Sequence, residues 1–262
     1  VKRVLLVSLA ALLSVSAAKA ESLRIASSAD FPPWESVDAA NEIVGFDRDI
    51  GNEVCKRIGA DCSWANQAFD GLLPGLQVGK YDLIISGLSI NDEREKQVDF
   101  SAPYADAPNN IVVAAGSPVA QAKDTKALEE GLAGKVIGAQ TGSTHEAVIR
   151  AHFKDADVRL YDRAEQVADD IVAGRLDAGL MERSAWEGMM ASRKDSGITI
   201  AGPLITSADY AEFGRGQAIA LKKGKDDLKK RIDEAVNAML ADGTVAKLSE
   251  KWFKYDVSFK KK

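Results

Sequence analysis

Apolar and polar positions alternate over residues 23–28, which predicts a first strand. A loop with Pro32 and Pro33 follows. Ile50, Val54 and Ile58 then recur at four-residue spacing, which predicts a helix over 47–58 closed by Gly59. Residues 62–66 read as a second strand. Residues 70–76 read as a second helix, capped by Asp70. The apolar run 81–85 reads as a buried strand. This β-α-β-α-β order predicts a parallel sheet with helices on its faces. A second cycle follows a crossing over 100–110. Its predicted strands cover 111–115, 135–140, 158–161, 177–181 and 198–201. Its helices run from the 141–146 turn to Phe153, over 163–174, and from Glu182 through Met190. Residues 202–216 return to the first half. There 217–221 and the helices 226–240 and 245–253 complete the packing. The expected class is α/β, with two lobes and a cleft faced by the carboxyl ends of the strands of both halves. Clefts of that kind are where open α/β sheets take small molecules.

Composition narrows the functional classes. The 262-residue chain has a formal net charge of −5. It begins with Lys2 and Arg3, runs apolar to Val15 and ends that stretch on small residues, which is expected of a signal peptide over 1–20 with cleavage after Ala20. Loss of Lys2, Arg3 and Lys19 with that leader takes −5 to −8. Such an acidic balance argues against nucleic acid and anionic membranes as partners. Two cysteines, Cys55 and Cys62, are most simply a disulfide in an exported chain. A loop that small stabilises by about 2–3 kcal/mol in the loop-entropy account. His145 and His152 lack the spacing of a helical metal pair. Neither a nucleophile elbow nor a P-loop is present. No metal, cofactor or catalytic group is expected.

The chemistry concentrates at residues 86–94. A buried strand end opens into Ser86, Gly87 and Ser89, and the stretch closes on Arg94. Backbone donors, hydroxyls and a planar guanidinium suit a carboxylate. Either Asn91 or Ser89 is placed to cap a short helical turn. The run 92–96 reads equally as a solvated charged turn.

The segment from Gly45 through Asp47, Ile50 and Cys55 to Arg57 resembles the signature of the periplasmic amino-acid-binding proteins of ABC importers, solute-binding protein family 3. The similarity is strongest to the branch for lysine, arginine, ornithine and histidine and its opine-binding relatives. It continues through 70–74, 86–94, 142–147, 173–178, 242–244 and Trp252-Phe253, in order along nearly the whole chain after the leader. The resemblance implies a type II two-lobed fold, each lobe a mixed sheet flanked by helices, joined by a two-segment hinge. Lobe 1 would be 21–107 with 207–262, and lobe 2 would be 108–206. It implies a periplasmic monomer that captures a polar or cationic amino acid by hinge closure and delivers it to a membrane permease.

Carried onto this sequence, the resemblance puts the ligand carboxylate on Arg94, with backbone donors at Ser89 and Thr144 completing the clamp, and makes Ser86 and Ser143 further ligand-binding positions. Glu182 takes the α-ammonium where the family usually has Asp. Phe31 and Phe69 sandwich the side chain. Ser28 stands where the cationic branch has an acidic residue, and Asp30 is the candidate replacement. Gly87 replaces a serine, as in the glutamine-binding branch. Gln140 and His145 add polar contacts from lobe 2, although His145 reads equally as an exposed helix position. Trp34 and Trp64 read as core. The rivals are a glutamine-type binder and a cyclohexadienyl or arogenate dehydratase-like enzyme, with Glu182 as general acid.

Overall fold

A computed structural model describes residues 20–192 and 197–260. The expected leader, apart from Ala20, lies outside these residues, as do the last two lysines of the basic tail. The first sheet is ordered Ala60–Asn66, Glu21–Ser27, Leu83–Ile84, Ala220–Leu221, Asp99–Phe100. Its first three strands are parallel, as the β-α-β-α-β pattern requires. Ala220–Leu221 returns antiparallel to both its neighbours, so the sheet is mixed. The second sheet is ordered Asp157–Tyr161, Val136–Gln140, Ala178–Glu182, Asn109–Ala114, Ile198–Ile205. Three parallel strands are again extended by antiparallel pairing, here through Asn109–Ala114.

Helix Phe46–Ile58 buries Ile50 and Val54 against the first sheet's core. Gly59 ends it in the left-handed region, with its N–H on the Cys55 and Lys56 carbonyls. The Cys55–Cys62 disulfide ties this helix end to the next strand. Arg48 stacks over Trp64, 4.9 Å from the ring centroid. Trp64 is half-buried, packed against the edge of the core with the cation over its outer face. Asp70 caps nothing: it lies inside a 3-10 turn, Phe69–Gly71, and the helix Leu72–Gln77 starts at Gly71 without a side-chain cap.

Three very short strands, Asp30–Phe31, Glu35–Val37 and Ile43–Val44, form an additional antiparallel sheet that the periodicity does not predict. They are too short to carry an alternation signal. Gly45 lets this sheet lie against the helix start, since a Cβ there would fall 2.2 Å from the Trp34 carbonyl oxygen. The fold thereby delivers Trp34 and Glu35 into the interior, both about 1% exposed or less. Trp34 packs on Phe46 and Phe253, with centroids 5.5 and 5.0 Å away. Its Nε1 donates to Ser184 Oγ of the second half at 2.8 Å.

The chain passes between the sheets twice, after Phe100 and after Ile205. The two crossings run side by side: Gln217 N donates to the Ala105 carbonyl at 2.8 Å, and Tyr104 N donates to the Gln217 carbonyl at 2.9 Å.

Candidate functional site

A cavity of about 410 Å³ lies between the two sheets, at the carboxyl ends of their parallel strands. All thirteen residues singled out from the sequence line it. From the first sheet, Ser28 follows the strand Glu21–Ser27, and Ser86, Gly87 and Ser89 follow Leu83–Ile84. Asp30 and Phe31 come from the small sheet and Phe69 from the 3-10 turn. From the second sheet, Gln140 and Glu182 end their strands. Ser143, Thr144 and His145 open the helix Thr144–His152. Glu35 and Met181 also line the cavity and escaped the sequence reading. Met181 lies in an apolar strand, next to its last residue, and looks like ordinary core. Glu35 lies next to a Pro-Pro-Trp loop, with no periodicity around it to point inward.

One end of the cavity is built for an anion. Asn91 Oδ1 accepts from Arg94 N at 2.9 Å, which caps the short helix Asp92–Glu95 and fixes Arg94 at its base. The guanidinium is 6% exposed and lies 5.7 Å from the centroid of Phe69. Nη1 donates to the Ser89 carbonyl at 2.9 Å, and Nη2 reaches across to the Gly142 carbonyl at 3.2 Å. A guanidinium has five donor hydrogens, so the rest are left for a ligand. Burial lowers its pKa to about 10, with the charge of Glu182 opposing that shift. It is still a cation at neutral pH. Facing it, Ser143 caps the helix Thr144–His152, its Oγ accepting from Glu146 N at 3.2 Å. The first-turn N–H groups of such a helix have no partner within it and attract anions.

Glu182 sits a short way off, 4% exposed, and its Oε2 accepts no hydrogen bond. Burial raises its pKa to about 7, against the lowering effects of its own backbone N–H and of Arg94. His145 Nε2 is 3.3 Å from that oxygen, yet its hydrogen bond goes to Asn109 Oδ1 at 2.9 Å. Burial, then the charge of Arg94, lowers the His145 pKa to about 3, so the ring is neutral. His145 is thus a cavity residue, not an exposed helix position.

At the other end, Ser28 Oγ donates to Asp30 Oδ1, and Ser86 Oγ donates to Glu35 Oε1, both at 2.9 Å. Ser28 N donates to Ser86 Oγ at 2.9 Å. Gly87 has a φ of 52°, a left-handed conformation that favours glycine, and its N–H donates to Asp47 Oδ2 at 2.5 Å. A cavity with a buried cation and an acceptor near it at one end, and hydroxyls and carboxyls at the other, complements a zwitterion with a polar side chain.

The family model for bacterial extracellular solute-binding proteins, family 3, matches residues 23–255. The ABC transporter arginine-binding protein 1 of Escherichia coli (strain K12) is 36% identical over 252 residues, 96% of this chain and 99% of the relative. The lysine/arginine/ornithine-binding periplasmic protein of the same strain is 36% identical over 256 residues, 97% of this chain and 95% of the relative. Among solved structures, an ancestral arginine-binding protein bound to arginine superposes with a TM-score of 0.79 at 33% identity, covering 88% of this chain and 98% of that one.

Proposed function

The chain belongs to the bacterial extracellular solute-binding proteins, family 3, and from that premise we propose that it captures a polar or cationic amino acid in the interlobe cavity for an ABC importer. Its fold is the two-lobed type II fold of periplasmic binding proteins. Its relatives act in the periplasm, where the Cys55–Cys62 disulfide is stable.

The observation that carries the reading is the pair Arg94 and Glu182. A buried guanidinium with donors to spare lies near a buried carboxyl whose Oε2 accepts nothing. Alone, each is costly to bury. Together they match the carboxylate and ammonium of an amino acid. Ser89 and the first turn of Thr144–His152 complete the carboxylate clamp. Phe31 and Phe69 cover the side chain. Lobe 1, residues 21–107 and 207–262, and lobe 2, residues 108–206, close on the ligand about the paired crossings. The ligand favours the closed state only through contacts to both lobes. The protein acts as a monomer.

The test is a thermal-shift panel of the twenty amino acids with ornithine, citrulline and opines, followed by calorimetry. A binder present at 1,000 times its Kd stabilises by about 4 kcal/mol. The expected hits are polar or cationic amino acids. Arg94→Ala is expected to weaken them by about 100-fold, as loss of a charged bidentate contact does. Equal affinity in that variant would overturn the site.

A buried carboxyl with a pKa of about 7 is also what a general acid needs. An assay for prephenate or arogenate turnover separates the two: a receptor leaves both unchanged.

A further inference from the structure

The sequence leaves the distal end of the cavity without an obvious partner for a cationic side chain, because position 28 is a serine. Asp30 is the nearest acid in sequence, but its carboxylate is engaged. Oδ1 accepts from Ser28 Oγ at 2.9 Å. Oδ2 accepts from Ala164 N at 3.1 Å and from Gln140 Nε2 at 3.5 Å. Ala164 opens the helix Ala164–Val172 of the second half, so Asp30 links the lobes.

Glu35 is placed differently. It is 1% exposed and lines the same cavity. Its Oε1 accepts one hydrogen bond, from Ser86 Oγ, and its Oε2 receives no donor. We propose that Glu35, rather than Asp30, sets a preference of this site for amino acids whose side chain ends in a guanidinium or ammonium. The proposal rests on the receptor reading above and names the ligand class within it.

The surroundings say why a cation is the fitting occupant. Asp47 stands beside Glu35. Its oxygens are held by Gly87 N at 2.5 Å and by the Tyr104 hydroxyl at 2.9 Å, donors that oppose the rise of its pKa to about 6 caused by burial. Two neighbouring buried carboxyls do not both ionise readily. Burial, the charge of Asp47, a hydrogen bond that the protonated Glu35 shares with Asp47 and, more weakly, the charge of Asp30 hold Glu35 well above the usual carboxylate range, against the lowering effect of the Ser86 hydroxyl. Tyr104 faces the same pair and is pushed up by burial and by Asp47, so it stays a neutral donor. Without a ligand, Glu35 keeps its proton. A cationic head placed before Glu35 and Ser86 removes the reason for keeping it and forms a charge-assisted bond. A neutral ureido or amide end of similar shape leaves Glu35 protonated and forms only a neutral bond.

L-arginine and L-citrulline differ in this charge and hardly in shape, so calorimetry with the two, on the parent, Glu35→Gln and Asp30→Asn, tests the proposal. The parent is expected to prefer arginine. Glu35→Gln is expected to reduce the arginine-to-citrulline ratio by about tenfold or more, with citrulline affinity within about threefold of the parent. Asp30→Asn is expected to weaken both ligands alike. Glu35→Asp covers the case in which the glutamine variant does not fold: its shorter reach should cost arginine more than citrulline. An unchanged ratio in the Glu35 variants, or a ratio that collapses in Asp30→Asn, would overturn the assignment. A parent that binds citrulline as tightly as arginine would overturn it while leaving the receptor reading intact. A parent that binds no amino acid would overturn that reading, and the proposal with it.

Discussion

Glu182 illustrates how one side chain couples binding to pH. Its pKa is raised from 4.5 to about 7, so the unliganded fold holds a proton there that the unfolded chain releases. The resulting stability is fully present below pH 4.5 and lost as pH rises through 7. His145 acts in the opposite sense. Its pKa is lowered from 6.5 to about 3, so its share is present above 6.5 and lost as pH falls. The two oppose each other between 4.5 and 6.5, and the effect of Glu182 stands alone above that window. At pH 8, Glu182→Gln is therefore expected to stabilise the unliganded protein by up to about 3 kcal/mol in denaturant titrations. The same change should weaken the ligand. In the parent, a zwitterion needs the ionised carboxylate. Its affinity should fall as pH drops below about 7, approaching tenfold per unit, by calorimetry across pH 5–8.

Among the elements, the helix Thr144–His152 has two tasks. Its cap, Ser143 Oγ, accepts from Glu146 N and donates to the Gln140 carbonyl, which joins the helix start to the strand before it. Its first turn forms one wall of the anion end. Ser143→Ala is expected to cost about 1 kcal/mol of stability by denaturant midpoint. It should also lower ligand affinity, because the frayed turn no longer holds its N–H groups in place. The small sheet of Asp30–Phe31, Glu35–Val37 and Ile43–Val44 has a comparable importance despite its size. It carries Asp30, Phe31 and Glu35 into one cavity and leaves Trp34 fully buried between them.

At the scale of the molecule, the direct bonds between the lobes include Trp34 Nε1 to Ser184 Oγ, Ala164 N to Asp30 Oδ2, and Arg94 Nη2 to the Gly142 carbonyl. All three link the halves directly. Trp34→Phe removes one and keeps an aromatic ring in the core. The expected outcome is a larger radius of gyration for the unliganded variant in solution scattering, which returns toward the parent's value when ligand is added. Affinity should fall about threefold to tenfold, because part of the binding energy then goes to closing the lobes. An unchanged radius and affinity would show that this bond does not bias closure.

Much of this was local enough to read from the chain. Four-residue apolar spacing marks the helix Phe46–Ile58, with Gly59 as its stop. Short apolar runs mark most strands of both sheets, although Phe100 of the strand Asp99–Phe100 reads as part of a crossing segment, and the thirteen residues picked from motifs do share one cavity. The pattern works because helix and strand periods, caps and glycine turns are properties of neighbouring residues. Long-range pairing decided the rest. Asp30 meets Ala164 across 134 positions and Trp34 meets Ser184 across 150, and no local period encodes either contact. For the same reason Asp70, a good cap by sequence, fell inside a 3-10 turn, and Glu35, silent in the sequence, became a buried carboxyl of the cavity. Residue type and spacing determined which groups were available. Burial and the final partners of each polar atom, which only the packed lobes define, decided which were left for a ligand.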